Sequence, residues 1–327
     1  MEPARFEHHP TKMPRLPWTR LREAAAEGRS IEVRGFELGQ STHEAAQLLS
    51  FAGYRFEGRV RFHRCVFRSF VDLAEARFDQ TLHLTECEFR AGLKLHDAVV
   101  KGRCSLRGST LCDDKNMWLD WRGLRTGADL RVQGVIAAAP IDLANARIGA
   151  DLRLDGLHVE ACGRTKEEVS ERALTGETGL SPMAADMAGK ALSLHGAKIE
   201  GHLLLKKFTL ATGVAYRGAL LGRRSQRTRL AGQCDMRTRV GGWVIFDNAA
   251  VDAGTDRKAI DMDSAEVRGT VHFIGGTRVT GSIDLRASVR GQVAFQGAAV
   301  DAGTETKALT MESAKVGGAV LFLAGTR

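Results

Sequence analysis

A regular alternation of apolar and polar positions runs through residues 60–111. Each rung reads apolar, x, apolar, x, x, small, x, apolar, and the first positions fall at residues 60, 71, 82, 93 and 104. The first rung is Val60, Phe62, Cys65 and Phe67. An apolar-x-apolar step is the period-two mark of a strand. The pattern therefore predicts short strands that recur every 11 residues.

An 11-residue period also fits a right-handed helical coil. Glycines at 92, 102 and 108 argue against it, because a glycine inside a helix costs about 1 kcal/mol. β-branched and aromatic residues at the apolar positions favour strands as well. We predict an all-β fold, a right-handed parallel β-helix (solenoid) with 11-residue rungs and about two rungs per coil.

The predicted organisation has three parts. Residues 1–18 carry four prolines and are expected to be a flexible arm. Residues 19–54 are expected to form a small helical N-terminal cap. It comprises a helix capped by Thr19 and closed by Gly28, a strand at 31–38 and a second helix from Ser41. A cap is needed because the first rung would otherwise expose apolar surface and unpaired strand groups.

The β-helix is predicted over residues 55–327, with interruptions. After a polar insert at 112–115 the rungs resume at 119, 130, 141 and 152, and they return at 192, 203 and 214. Excursions are predicted at 160–189 and 222–240. A segment that starts at Val244 recurs from Val293, and its last copy stops at Arg327 without a polar cap. We expect either a longer natural chain or a second chain over that end.

The formal net charge of +8 favours anionic partners, although charge spread over a solenoid also serves solubility. Arginines concentrate in the second excursion, with almost no acid. Because guanidinium forks fit phosphate oxygens, these residues form the candidate anion-binding site, with a solvated loop as the alternative: Arg223, Arg224, Arg227, Arg229, Arg237 and Arg239.

The cysteines and the N-terminus bear on location. None of the six cysteines forms a CxxC pair, and Cys65 and Cys87 occupy the small position of a rung. We interpret them as buried small residues rather than disulfide or ligand cysteines, which suits a reducing cytoplasm. The N-terminus lacks the apolar region of a signal peptide, and no run of residues is long and apolar enough to span a bilayer. A cytoplasmic protein without a transmembrane segment is expected.

Stacked rungs would bring outward charges together. With two rungs per coil, Asp120 and Asp142 share one column, Arg131 and Arg153 another, and Arg61 stacks on His83. Carboxylates about 4.8 Å apart repel, so one of the two pKa values should rise. No nucleophile, HExxH, GxSxG or phosphate-binding loop accompanies them. We therefore interpret them as a charged face and expect no catalytic, cofactor or metal site.

The segments VDLAEARF and IDLANARI resemble pentapeptide-repeat proteins, over about residues 55–327. The resemblance implies a right-handed quadrilateral β-helix, although the rungs here have 11 residues rather than 10. There is a looser similarity to bactofilins, which polymerise end to end. Bacterial chains with GxLxLxGAxVxG rungs sometimes carry the label membrane-associated oxidoreductase, but no GxGxxG, CxxC, flavin or haem motif supports that chemistry. A chain of charge +8 is also a poor mimic of DNA.

Three hypotheses for function follow. The first is a non-enzymatic scaffold or interaction module that presents loops to a protein partner or associates end to end. The second is an enzyme, such as an oxidoreductase-like one, with a groove site on the β-helix face. The third is a basic module that binds nucleic acid or an anionic membrane surface through the 223–239 arginine loop. With only 6% aromatic residues, a broad stacking platform for bases is not expected.

Overall fold

The computed structural model describes residues 4–7, 14–39, 49–111, 119–160, 187, 189–206, 208–209, 214–216, 219–221, 225–226, 229–255, 257–303 and 307–327. These residues form an all-parallel β-solenoid of about 8 turns with one short helix. Short strands on each turn pair with their counterparts on the turns before and after, so four parallel stacks run along the solenoid. We number the stacks as faces 1 to 4, in the order in which one turn visits them.

Faces 1 and 2 are the longest continuous stacks that precede each other along a turn. The strands of face 1 are Ala4–Glu7, Ile31–Arg34, Val60–His63, Leu82–Thr85, Cys104–Ser105, Leu130–Arg131, Leu152–Arg153, Leu203–Lys206, Val244–Asp247, Val271–Ile274, Val293–Gln296 and Val320–Leu323. The strands of face 2 are Glu37–Leu38, Val66–Phe67, Glu88–Phe89, Thr110–Leu111, Ile136–Ala137, His158–Glu160, Arg229–Ala231, Ala250–Asp252, Arg278–Thr280 and Ala299–Asp301.

Face 3 consists of two hydrogen-bonded sheets, and face 4 of one. The strands of face 3 are Leu49–Ser50, Val71–Asp72 and Leu93–Lys94, followed by Leu119–Asp120, Ile141–Asp142, Lys190–Ser193, Gln233–Asp235, Lys258–Asp261, Ser282–Asp284 and Leu309–Thr310. The strands of face 4 are Arg55–Phe56, Arg77–Phe78, Val99–Val100, Arg125–Thr126, Arg147–Ile148, Lys198–Ile199, Arg239–Val240, Glu266–Val267, Ser288–Val289 and Lys315–Val316.

The register sets the length of a turn. Val60 lies opposite Leu82, and Leu82 lies opposite Cys104, so the first stacked partners are 22 residues apart. Longer offsets occur where the chain leaves the solenoid: Leu152 pairs with Leu203 and Leu203 with Val244. The stacking therefore continues across insertions of very different length.

The core fills the inside of the stack. Val60, Phe62, Cys65 and Phe67 of the first predicted rung are all at most 8% exposed. Aromatic rings also stack from turn to turn: Phe246, Phe273 and Phe295 lie nearly parallel with centroids 4.8 and 4.7 Å apart. Burial of such large side chains is the main favourable term for the fold.

The N-terminal region differs from its prediction in two ways. A helix spans Trp18–Ala26 and buries Leu21 against the first turns, as expected of a cap, but it begins one residue before Thr19. The arm contributes a strand, Ala4–Glu7, which pairs in parallel with Ile31–Arg34. Most of the second predicted helix lies outside the described residues, and its end, Leu49–Ser50, is a strand of face 3.

The second excursion lies earlier than predicted. Residues 229–240 carry solenoid strands of faces 2, 3 and 4. Val214, which was predicted to start a rung, instead lies in Val214–Tyr216, an antiparallel partner of Ala219–Leu221. A second antiparallel pair joins Phe208–Thr209 to Ser225–Gln226. The density of arginines hid the alternation of Leu230, Cys234, Met236 and Val240, all of which are buried.

The predicted excursion at 160–189 lies almost wholly outside the described residues. Within the described part of the chain, no helix is long and apolar enough to cross a membrane. Among the described residues, large apolar side chains are exposed mainly on the last strand of face 1, at Val320, Phe322 and Leu323, and at Trp243.

Candidate functional site

Face 4 carries a column of basic side chains along the solenoid. In its strands the first residue points outward and the second inward, as with exposed Arg125 and buried Thr126. Six of the first seven outward positions are Arg or Lys, in register from turn to turn: Arg55, Arg77, Val99, Arg125, Arg147, Lys198 and Arg239. We call this series the basic column.

An open groove follows the central part of the basic column and encloses about 850 Å³. Its cationic lining residues are Lys101, Arg125, Arg147, Lys198, Arg237 and Arg239. Two carboxylates, those of Glu200 and Glu266, also line it. The remaining lining is small or aliphatic and includes no aromatic side chain. The groove therefore offers positive charge but no platform for ring stacking.

The cations at the two ends of the groove are already paired. Lys198 Nζ lies 2.7 Å from Glu200 Oε1, and Arg239 Nε lies 2.8 Å from Glu266 Oε2. At the other end, Lys101 Nζ lies 2.7 Å from Asp79 Oδ1. These pairs neutralise much of the charge at the ends.

The centre of the groove is different. Arg125 and Arg147 are direct register partners on neighbouring turns. Both are exposed, and within the described residues neither has a carboxylate partner or any other polar side-chain contact. Like charges placed directly opposite each other on paired strands destabilise by roughly 0.2–1 kcal/mol. The two guanidinium groups therefore create a local positive potential that only a ligand or solvent ions can relieve.

Glycines keep the space beside these two arginines open. Gly127 and Gly149 occupy the outward positions two residues after Arg125 and Arg147. A Cβ atom on Gly127 would lie 2.0 Å from the carbonyl oxygen of Lys101, and one on Gly149 would lie 2.5 Å from that of Gly127. Side chains are excluded there by the close packing of the turns. The guanidinium forks, which fit carboxylate and phosphate oxygens in a bidentate manner, can therefore be approached from outside.

The structure only partly gathers the six arginines predicted as an anion site. Arg223, Arg224 and Arg227 lie outside the described residues, and only the backbone of Arg229 is described. Arg237 and Arg239 line the groove, but both are engaged: Arg237 bonds to Asp235 through Nε at 2.9 Å, and Arg239 bonds to Glu266. The six-arginine site stays a prediction, and the described part of it belongs to the face 4 groove.

Face 3 carries an acidic column. Asp120 lies opposite Asp142, as predicted, and the register continues through Ser193, Asp235, Asp261 and Asp284. These aspartates are mostly buried, Asp235 fully so. Basic side chains neutralise the column: Arg122, Lys190, Arg237, Lys258 and Arg286. Neither Asp120 nor Asp142 lines the groove, so their arrangement is that of an internal ion-pair ladder.

The predicted rise of one pKa in the Asp120–Asp142 pair is confirmed in direction. Burial raises the pKa of Asp142, and the neighbouring charge of Asp120 adds to the rise. For Asp120, burial also acts upward, but hydrogen bonds from Arg122 at 2.8 Å outweigh it and lower the pKa. Burial, rather than repulsion between the two carboxylates, is the larger cause for Asp142.

Other predicted neighbours are also in register. Arg131 lies opposite Arg153, and Arg61 lies opposite His83. Cys65, Cys87, Cys104 and Cys234 are free and buried, as predicted for the cysteines of the core, and burial raises the pKa of Cys104 to about 12. Across the described ranges, no group of His, Cys, Asp or Glu has the arrangement of a metal site.

Sequence reasoning missed Arg125 and Arg147. Both stand directly before the last apolar residue of a rung, in LRT and ARI. The outward position after the first apolar residue was followed along the chain, but this one was not. Comparing alternate rungs at the position before the last apolar residue would have shown the run of basic residues.

Comparison of the chain with protein-family models, with curated proteins and with solved structures found no match.

Proposed function

We propose that this chain is a β-solenoid scaffold, an interaction module that holds an acidic protein partner against face 4. The observation that carries the proposal is the pair Arg125–Arg147, stacked in register in an open groove without a carboxylate partner in the described residues. Complementary charge across an interface steers encounter and fixes the register of the partners. A partner that supplies carboxylates to this pair would relieve its repulsion and gain charge-assisted hydrogen bonds.

Several features support a protein partner over the other anionic surfaces. The groove is recessed, whereas a bilayer surface is flat. It lacks aromatic lining residues, which stack on the bases of single-stranded nucleic acid. It also contains Glu200 and Glu266, which would repel an unbroken row of phosphates. A protein segment of mixed charge accommodates such carboxylates.

The finer expectations from the sequence remain part of the proposal. The four stacks support a relation to the quadrilateral fold of pentapeptide-repeat proteins. Free buried cysteines support a reducing cytoplasmic environment. End-to-end association stays a prediction, and light scattering over a range of protein concentrations tests it.

The test is a titration of a fluorescent short poly-glutamate peptide with wild-type protein and with the double variant Arg125→Gln/Arg147→Gln. We expect the double variant to bind at least about tenfold more weakly at low salt, a loss of about 1.4 kcal/mol. Raising the salt should weaken wild-type binding, because the groove is solvent-exposed and screened.

The matched control is Arg268→Gln/Arg290→Gln. Both of its arginines are exposed next to face 4 strands but do not line the groove, and the change in net charge is the same. This control should bind the peptide as the wild type does. Equal binding by both double variants and the wild type would overturn the proposal. A preference for single-stranded DNA or anionic vesicles would replace the protein partner with one of those classes.

A further inference from the structure

The spacing of the basic column carries information about the shape of its partner. Arg125, Arg147, Lys198 and Arg239 stand on four successive turns, each in register with the next. Neighbouring parallel strands lie about 4.8 Å apart. The four basic positions therefore span about 14 Å along the solenoid, in three nearly equal steps.

An α-helix matches this spacing. It advances about 5.4 Å per turn, so residues i, i+4, i+7 and i+11 form a stripe about 16 Å long on one side. The mismatch over three steps is about 2 Å, which long arginine and lysine side chains can absorb by shifting their tips. Each turn of such a helix would face one turn of the solenoid.

An extended segment matches it less well. Same-side residues of a strand are about 6.8 Å apart, so four of them span about 20 Å. The mismatch is then about 6 Å, more than the spacing of one solenoid turn. An extended acidic peptide would lose register with the basic column after two contacts.

The groove floor suits a rounded partner. Gly127, Gly149, Gly196 and Ala197 line it and present little or no side chain. The two unpaired arginines lie at its centre, and the ion pairs Lys198–Glu200 and Arg239–Glu266 lie toward one end. Demand for negative charge is therefore strongest over two turns and weaker beyond them.

We propose that the groove accepts an acidic α-helix of a partner protein, laid along the solenoid axis, with a stripe of carboxylates at one-turn spacing over the basic column. This inference rests on the proposed function, since it specifies the partner for the same groove. The helix would place two carboxylates on Arg125 and Arg147 and carry mixed charge over the paired end.

Three fluorescent peptides of equal net charge test the shape requirement. The first is an alanine-based helix with glutamates at i, i+4, i+7 and i+11. The second has the same composition with the glutamates distributed around the helix. The third keeps the glutamate positions of the first but has a central proline, which breaks the helix. We expect the first to bind at least tenfold more tightly than the other two and to gain helical circular dichroism when bound.

The double variant Arg125→Gln/Arg147→Gln should remove the advantage of the first peptide, and Arg268→Gln/Arg290→Gln should keep it. Equal binding of all three peptides, with loss in the first double variant, would overturn the helix and leave the acidic groove standing. Failure of every acidic peptide to bind would overturn the proposed function as well. Tighter binding of single-stranded DNA than of the first peptide would assign the groove to nucleic acid instead.

Discussion

The carboxylates of Asp120 and Asp142 show how one neighbour decides the state of a buried acid. They stand opposite each other on face 3, and both are largely buried. Asp120 accepts two hydrogen bonds from the guanidinium of Arg122, at 2.8 Å each. Asp142 lies 3.8 Å from Nε of the same arginine and accepts its hydrogen bond from the backbone N–H of Ala144 at 3.0 Å. The single cation serves one acid well and the other poorly.

The variants Asp120→Asn and Asp142→Asn should therefore behave differently. Asp120→Asn loses a charge-assisted pair and should lower the free energy of unfolding by about 1.5–3 kcal/mol. Asp142→Asn keeps an acceptor for Ala144 N–H and removes a buried charge, so at neutral pH it should be neutral or stabilising.

Chemical denaturation at neutral and mildly acidic pH measures both effects. The folded-state pKa of Asp142 is raised, so its carboxylate costs stability above that pKa, and the cost is relieved as the pH falls through it. Any advantage of Asp142→Asn should therefore shrink in acid. Equal destabilisation by the two variants at neutral pH would contradict the assignment.

Asp235 makes the opposite contribution in acid. It is fully buried and holds Lys190 at 3.0 Å and the guanidinium of Arg237. Although burial acts upward, these two cations lower its pKa to about 2. Because this lies below the unfolded value of about 3.9, the stability it contributes is present above about pH 4 and is lost as the pH falls toward 2.

Urea denaturation between neutral pH and about pH 3 tests this. The wild type should lose stability over the range, and Asp235→Asn should lose less of it. At neutral pH, Asp235→Asn should cost about 3–5 kcal/mol, because it leaves two cations without their buried partner. A variant that matches the wild type at neutral pH would show that the ion pairs do not stabilise the fold.

At the scale of elements, stacked rings join one turn of the solenoid to the next. Phe273 lies between Phe246 and Phe295, with centroids 4.8 and 4.7 Å away and rings within 7° of parallel. Phe322 continues the stack from the last described strand of face 1 but is 60% exposed. The same residue type thus occupies a buried and an exposed position in one column.

Phe273→Ala should lower the free energy of unfolding by about 3–5 kcal/mol, because it leaves a cavity between two turns. Phe322→Ala should cost much less, since most of its surface is already in solvent. Thermal and chemical denaturation of the two variants provide the comparison. Similar losses for both would mean that stacking between turns contributes little.

The sequence predicted the inward columns well and the outward ones poorly, for a physical reason. Burial follows a local alternation, so the core positions of residues 60–111 and the pair Asp120–Asp142 could be read from short segments. Outward columns depend on which turns are neighbours. Val99 pairs with Arg125, Arg147 with Lys198 and Lys198 with Arg239, at offsets that insertions make unequal. No fixed period in the sequence reveals that column.

The strand Ala4–Glu7 was missed for a related reason. Four prolines in residues 1–18 indicated a flexible arm, but pairing with Ile31–Arg34 requires only a short segment between prolines. The edge of a neighbouring strand supplied a partner that the local sequence did not show. Likewise, the arginines of residues 229–240 resembled a solvated loop, although buried Leu230, Cys234 and Val240 place the segment in the solenoid.

On the scale of the whole molecule, the charges are sorted by face. The net charge of +8 is not uniform: face 3 pairs its buried acids with bases inside an ion-pair ladder, whereas the centre of face 4 leaves Arg125 and Arg147 exposed. A solenoid suits this arrangement because each turn supplies one side chain to a straight row. The fold therefore provides a ruler along which a partner can be matched by charge and spacing.

Reversal of the charge at the centre of the groove tests the central claim most directly. The measurement compares the affinity for short poly-glutamate and short poly-lysine peptides of wild type, of Arg125→Glu/Arg147→Glu and of the matched control Arg268→Glu/Arg290→Glu. The account predicts that the groove variant exchanges its preference from poly-glutamate to poly-lysine, while the control, with the same change in net charge, keeps the preference of the wild type. Equal behaviour of the two variants would show that overall charge, and not the face 4 groove, governs binding.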